Sequence, residues 1–179
     1  MLFRSKRLSL DIKKVKAIFV SHEHTDHISG ITVLSKKYQL PVYITAATKK
    51  NSPVNIEPHL HKTFSTKKPE NVGSITVTAF PKFHDADDPH SFIVQQNDIT
   101  VGVFTDIGRS CENLIHHFKK CNAVFLETNY DRDMLMNGSY PFHLKKRISG
   151  GHGHLSNDEA LQIFLEHKPT EMTHLDRKS

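Results

Sequence analysis

The sequence predicts a mixed α/β fold in which strands and helices alternate. Two observations carry that reading. Short apolar, β-branched runs recur at residues 15–20, 41–44, 74–80, 91–95, 99–104 and 123–127. Between several of them lie stretches whose apolar residues fall at helical spacing.

Taken in order, residues 15–20 (VKAIFV) read as a buried strand. His27 opens an amphipathic stretch to Tyr38, with Ile28, Ile31, Leu34 and Tyr38 near one helical face. Residues 41–44 read as a second strand, and Ala46 begins a short helix that Pro53 stops. The polar, proline-bearing residues 51–70 read as a loop. Residues 74–80 alternate as a strand, and 91–95 with 99–104 form a hairpin across Gln96-Asn97-Asp98. A helix over 112–120 and a strand over 123–127 follow. Ser156 and Glu159 make a capping-box pattern that starts a helix through Leu161, Phe164 and Leu165. With no repeat, low-complexity tract or long linker, residues 1–179 are expected to form one domain.

Composition narrows the class. Lys and Arg outnumber Asp and Glu to give a formal charge of +5 and a pI near 9.2, which favours an anionic partner such as nucleic acid. Only Cys111 and Cys121 are present, so a disulfide framework is not indicated. The basic N-terminus lacks the apolar core of a signal peptide, and no apolar run is long enough to span a bilayer. No membrane association and a cytoplasmic location are therefore expected. The 14 histidines are out of the ordinary for a chain of 179 residues.

Their densest run is Ser21-His22-Glu23-His24-Thr25-Asp26-His27, directly after the first strand. Neutral imidazole and carboxylate are ligands for Zn²⁺, Mn²⁺ and Fe. In extended backbone, residues 22, 24 and 26 turn to the same side, so His22 and His24 can share one metal. Asp26 and His27, at the turn into the helix, can reach a second. A polar surface loop explains any one of these histidines, but not four candidate ligands at this spacing.

The H-x-H-x-D-H run after a strand resembles the signature of the metallo-β-lactamase superfamily, and further matches follow in order. Phe83-His84-Asp85 resembles the segment that gives another histidine to the first metal, and Thr105-Asp106-Ile107-Gly108 the segment whose aspartate bridges both. Glu127-Thr128-Asn129-Tyr130-Asp131 and Gly153-His154-Leu155-Ser156-Asn157 are similar to a narrower group, the YycJ/WalJ-like metallohydrolases related to ribonuclease Z and the β-CASP nucleases. The resemblance implies an αβ/βα sandwich and two divalent ions, Zn or Mn. Their ligands would be His22, His24, Asp26, His27, His84 and Asp106. It also implies a metal-dependent phosphodiesterase acting on nucleic acid, DNA more than RNA, as a 5′-exonuclease. A hydroxide activated by the two metals would attack phosphorus, with Asp26 orienting or deprotonating it.

A second chemistry lies in residues 150–159. A helix N-terminus with flanking glycines can hold a phosphate, which makes Gly153, His154 and Ser156 candidate substrate contacts and His154 a candidate acid. The plain alternative is a capped helix after a glycine loop. The basic run Leu144-Lys145-Lys146-Arg147 reads equally as a solvated face or as a phosphate track through Lys145 and Arg147.

Two departures accompany the resemblance. The glycine-rich hairpin and aspartate-bearing strand that precede the first metal motif in the family are missing. The closing metal-ligand histidine is matched by His174, or else Glu171-Met172-Thr173 begins the strand and that ligand lies elsewhere. The expectation is an incomplete sandwich, marginally stable and weakly active. Two other readings stay open: hydrolysis of a small thioester, lactam or cyclic phosphodiester, and a catalytically inactive metal-binding fragment.

Overall fold

The computed structural model describes residues 9–178, so the basic N-terminal run lies outside the described residues. Two sheets face each other. The smaller is parallel, in the order β1 (Ile18–Phe19), β2 (Val42–Tyr43), β3 (His61–Lys62). The larger has β4 (Glu70–Val72), β5 (Ile75–Pro81), β6 (His90–Gln96), β7 (Ile99–Phe104), β8 (Ala123–Glu127) and β9 (His174–Lys178) side by side in chain order. Its pairing is antiparallel from β4 to β7 and parallel from β7 to β9. Parallel neighbours need a crossover, and here helices supply it.

Three apolar clusters order the layers. Helices α1 (Thr25–Ile28) and α2 (Ile31–Tyr38) bury Ile28 and Ile31 with Val42 and Ile44 of the small sheet. The two sheets meet through Phe64, Val77, Ala79 and Phe92, with Phe19 stacked on Tyr43 at 4.4 Å. On the far side, α4 (Glu112–Phe118) and α7 (Asn157–His167) close over the large sheet around Phe104, Phe118, Leu126 and Leu155. Each such fully buried side chain contributes about 1.5–3 kcal/mol. The result is helix, sheet, sheet, helix: the expected αβ/βα sandwich. The described residues also include the short helix α3 (Ala46–Lys50).

Several elements differ from the sequence reading. The first strand pairs over only two residues, because Ser21 onward leaves the ladder to form the ligand loop. The helix expected over 27–38 is broken at Ser29-Gly30 into α1 and α2. Residues 51–70 are not all loop, since β3 adds to the small sheet there. Two short helices, α5 (Arg132–Asn137) and α6 (Phe142–Ser149), occupy a stretch that the sequence reading leaves without an element. Asp131 caps α5 by accepting from the Met134 N–H at 2.8 Å. The capping box of Ser156 and Glu159 forms as expected at the start of α7.

Candidate metal centre

The ligand loop follows from period-two geometry. His22 and His24 point into the site, while Glu23 points away and its carboxylate accepts from the Asp87 N–H at 2.8 Å. That bond ties the loop to the segment carrying His84. His22 Nε2 and His84 Nε2 lie 3.1 and 3.2 Å from His24 Nδ1. Two nitrogens bound to one tetrahedral Zn²⁺ at about 2.05 Å would be about 3.3 Å apart. The other ring nitrogen of each histidine is occupied. His22 Nδ1 pairs with Ser21 Oγ at 2.9 Å, and His84 Nδ1 donates to the Gly153 carbonyl at 2.9 Å. His24 Nε2 donates to the Asp85 carbonyl at 3.1 Å. These partners fix ring orientation and turn a lone pair inward on each ring, as metal-binding imidazoles require.

Burial reinforces that state. Desolvation, then the charges of Lys82, His27 and His84, push the His22 imidazole down to about 2. Burial and Lys82 also lower His84, against the opposing pull of the Gly153 carbonyl, Asp106 and Asp85. Both rings are neutral at physiological pH and available as ligands.

A second group shares His22 with His27 and Asp106, whose His27 Nε2 to Asp106 Oδ2 distance is 3.3 Å. Burial pushes the Asp106 carboxyl upward, but His27 and Lys82 outweigh it and hold the group well below the usual carboxylate range. Asp106 sits in the left-handed region at φ 55°, a conformation Asp tolerates at about 1 kcal/mol. Three bonds hold that turn. Lys82 Nζ donates to the Thr105 carbonyl at 2.7 Å, the Gly108 N–H to Phe83 at 2.7 Å, and the Ile107 N–H to Glu127 Oε2 at 2.6 Å.

A third group joins Asp106 to Glu127 and His154. His154 Nδ1 donates to Glu127 Oε1 at 2.7 Å, and the Leu155 N–H to Glu127 Oε2 at 3.1 Å. The Glu127 carboxylate is the chief reason the His154 imidazole is raised above its ordinary value, partly offset by burial. The donor set suits divalent ions: three imidazoles on one side, and imidazole with carboxylate on the other.

The structure sorts the sequence candidates. His22, His24, His27, His84 and Asp106 converge. Asp26 stands at the rim, 80% exposed, with its carboxylate 3.4 Å from His27 Nε2 and outside the three ligand groups. His174 is a correction. It pairs with Ala123 at the opposite end of β8 from Glu127, about 13 Å along the strand, and its Nδ1 meets Thr173 Oγ1. Ser156 is another, because it is fully buried and its hydroxyl is engaged by Glu159. The Ser156 and Glu159 N–H groups are likewise satisfied within the capping box, which closes this helix end to a phosphate. Gly153 has a packing role: a Cβ there would overlap the Arg147 and Ile148 carbonyl oxygens. Lys145 Nζ donates to the Met136 carbonyl at 2.6 Å, while Arg147 reaches the site rim through Asp85. Arg147, Asp85, His154 and Asn129 line a cavity of about 240 Å³ beside the cluster.

Sequence reasoning missed two residues. Glu127 is visible in hindsight as an acid ending an apolar strand. Lys82, buried beneath Asp106 and Glu127, has its ammonium lowered to about 8 by desolvation, against the pull of both carboxylates. A lone lysine between Pro81 and Phe83 gave no signal. His90 is buried in β6 against Phe64.

The αβ/βα sandwich with this ligand loop places the chain in a class: residues 2–174 match the beta-lactamase superfamily domain, and the chain belongs to that family. Among characterised relatives it is 34% identical over 173 residues to the exodeoxyribonuclease YycJ of Bacillus anthracis, covering 95% of this chain and 66% of the relative. It is 30% identical over 154 residues to the exodeoxyribonuclease WalJ of Streptococcus pneumoniae, covering 83% of this chain and 57% of the relative. The chain thus spans less than two thirds of either relative's length. The metallo-β-lactamase fold protein YhfI of Bacillus subtilis superposes with a TM-score of 0.70 at 20% identity, over 99% of this chain and 71% of that one.

Proposed function

We propose that this chain is the catalytic domain of a metal-dependent phosphodiesterase that removes nucleotides from the 5′ end of DNA. The observation that carries the reading is the adjacency of two ligand groups at His22, with a protonatable His154–Glu127 pair beside Asp106. The names of YycJ and WalJ, both exodeoxyribonucleases, supply the substrate class. The formal charge of +5 agrees with it.

In this reading His22, His24 and His84 hold one Zn²⁺ or Mn²⁺, and His27 and Asp106, next to His22, supply ligands to a second. When bound, such ions lower the pKa of water and offset charge on the phosphoryl group. The chain's own residues do the rest. Asp26, at the open rim, orients water and accepts its proton. His154 keeps its proton toward neutral pH because Glu127 stabilises the imidazolium, and gives it to the leaving oxygen. Arg147 meets the incoming phosphate in the 240 Å³ cavity. Lys145, whose ammonium already has a carbonyl partner, adds charge to the same approach. Two free cysteines fit a reducing compartment, the cytoplasm. No helix among the described residues is long and apolar enough to cross a membrane.

The test is 5′-labelled DNA incubated with the metal-loaded protein, with and without chelator. Chelator-sensitive release of labelled mononucleotide is expected. Turnover of nitrocefin or a thioester with none on DNA or RNA would overturn the proposal in favour of a small-molecule hydrolase.

A further inference from the structure

Helix α6 and the turn before it are unlike the rest of the surface. The helix buries none of its residues, and its sequence, FHLKKRIS, contains three cations and no acid. Leu144 and Ile148 are half-buried beside the cavity at the cluster, while Phe142 and Lys146 stay in solvent. Just ahead of it, large apolar side chains crowd onto the surface: Met134 is 76% exposed, Met136 59%, Tyr140 55% and Phe142 79%. Isolated exposed apolar residues are ordinary; a cluster of this kind beside a polar rim marks a binding surface.

Its position selects the partner. The C-terminal half of α6 abuts the metal centre, where Arg147 pairs with Asp85 and the His154 N–H donates to the Ile148 carbonyl at 2.8 Å. Phe142 and Lys146 lie one turn apart on the same exposed side, and His143 and Arg147 form the adjoining row. Asn129 lines both the cavity at the cluster and a larger one of about 750 Å³ walled by Tyr130, Met134 and Tyr140. The two cavities adjoin at Asn129, and Tyr140 lines the outer one. Alternating π-faces and cations are what a strand with unpaired bases requires: stacking for the bases, charge for the phosphates. A duplex, whose bases are already stacked, gains nothing from Phe142 and Tyr140.

We infer that Tyr140 and Phe142 form a base-stacking strip, flanked by Lys146 on the phosphates, that guides a single strand into the metal centre. The inference rests on the nucleic-acid reading above and adds the form of the substrate. The direct phosphate contact falls to Lys146, since the Lys145 ammonium is engaged with the Met136 carbonyl.

The test compares a fluorescein-labelled oligo(dA) with an abasic sugar-phosphate chain of equal length. Binding is measured in chelator so that cleavage does not interfere. The wild-type chain should bind oligo(dA) roughly tenfold or more tightly than the abasic strand. The double variant Tyr140→Ala/Phe142→Ala should bind both alike, at the wild-type affinity for the abasic strand, and Phe142→Trp should restore the preference. Lys146→Ala should weaken both strands equally and lower the salt slope by about one. These side chains are exposed, and an unchanged circular dichroism melt checks that each variant folds. Unchanged oligo(dA) affinity in the double variant, with metal-dependent cleavage of nucleic acid retained, would overturn the strip and leave the nuclease reading standing. No binding to either strand and no cleavage would overturn both. A wild-type dimer in light scattering that Phe142→Ala converts to monomer would make the patch a self-association surface and overturn the inference.

Discussion

The two halves of the metal centre are built by different means. The imidazole half, His22, His24 and His84, draws two ligands from one extended loop, and a backbone or hydroxyl partner fixes every ring. The carboxylate half is assembled from separate places: His27 on α1, Asp106 after β7, Glu127 at the end of β8 and His154 ahead of α7. Its geometry depends on a left-handed turn at Asp106, with Lys82 and Glu127 holding it from below. One half is thus set by local backbone periodicity, and the other by the register of neighbouring parallel strands. The second should be the more sensitive to changes away from the ligands themselves.

The largest effects should come where the halves join. His22 belongs to both the imidazole group and the His27–Asp106 group. Its one inward lone pair, on Nε2, serves a single ion, so His22→Ala is expected to remove the ion of the imidazole half, to weaken the adjoining one, and to reduce hydrolysis by more than the roughly 10–100-fold typical of an outer hydrogen-bond partner. Elemental analysis after reconstitution with Zn²⁺ or Mn²⁺ checks it. His24→Ala should likewise remove one equivalent, with less effect on the second ion. If both ions stay tightly bound in His22→Ala, His22 is not a ligand.

Glu127→Gln tests the carboxylate half without touching His27 or Asp106. The carboxylate accepts from the Ile107 and Leu155 N–H groups and from His154. An amide cannot accept from all three, since its nitrogen only donates. The variant should lose about 1.5–3 kcal/mol in urea unfolding, the range for hydrogen bonds to a buried charge. Turnover should fall roughly 10–100-fold with metal content nearly unchanged. Loss of metal at wild-type stability would make Glu127 a ligand.

The halves should also respond oppositely to pH in the metal-free protein. His22 and His84 titrate lower in the folded state than in the unfolded chain, so below pH ~6.5 unfolding takes up protons and stability falls. The loss approaches about 1.4 kcal/mol per pH unit for each buried ring. His154 titrates higher when folded, so its contribution is complete below pH ~6.5 and disappears as pH rises through the raised value. In chelator, the melting temperature should rise between pH 5.5 and 6.5. His84→Gln should flatten that rise. His154→Gln should remove the opposing decline above pH 6.5. Parallel pH profiles for the wild type and both variants would show that neither half governs stability.

The same contrast explains what the sequence made legible. The loop at residues 21–27 could be read because its chemistry and its geometry both arise from consecutive residues, and the alternation of inward His22 and His24 with outward Glu23 is a property of extended backbone. Helix α7 was legible because its capping box is local. Glu127 was quoted only as part of a segment, since its role depends on β7 and β8 lying in register and presenting Asp106 and Glu127 at the same sheet end. Lys82 was invisible for the same reason. His174 misled because a histidine followed by leucine matches a short pattern, whereas the register of β9 on β8 decides which strand end it occupies. Helices α5 and α6 are hard to read because they are short, six and eight residues, and carry large apolar side chains, Met134, Met136 and Phe142, exposed on the surface.

The smallest expected effect concerns Arg147, which is 60% exposed and paired with Asp85 at the mouth of the site. Burial tends to raise the Asp85 carboxyl, but Arg147, His84 and His24 lower it, so the pair is charged at neutral pH. Solvent and salt screen such pairs, and Arg147→Ala should cost under about 1 kcal/mol of stability. If the imidazole half is set by its own loop, metal affinity at His22, His24 and His84 should stay near wild type in this variant. The change should then fall on KM for DNA and its salt dependence, with kcat little altered. A drop in bound metal would show that Arg147 steadies His24 and His84 through Asp85, and that the imidazole half leans on α6 as the carboxylate half leans on Lys82. Metal titration of Arg147→Ala beside Asp85→Asn, which breaks the same pair from the other side, separates these outcomes.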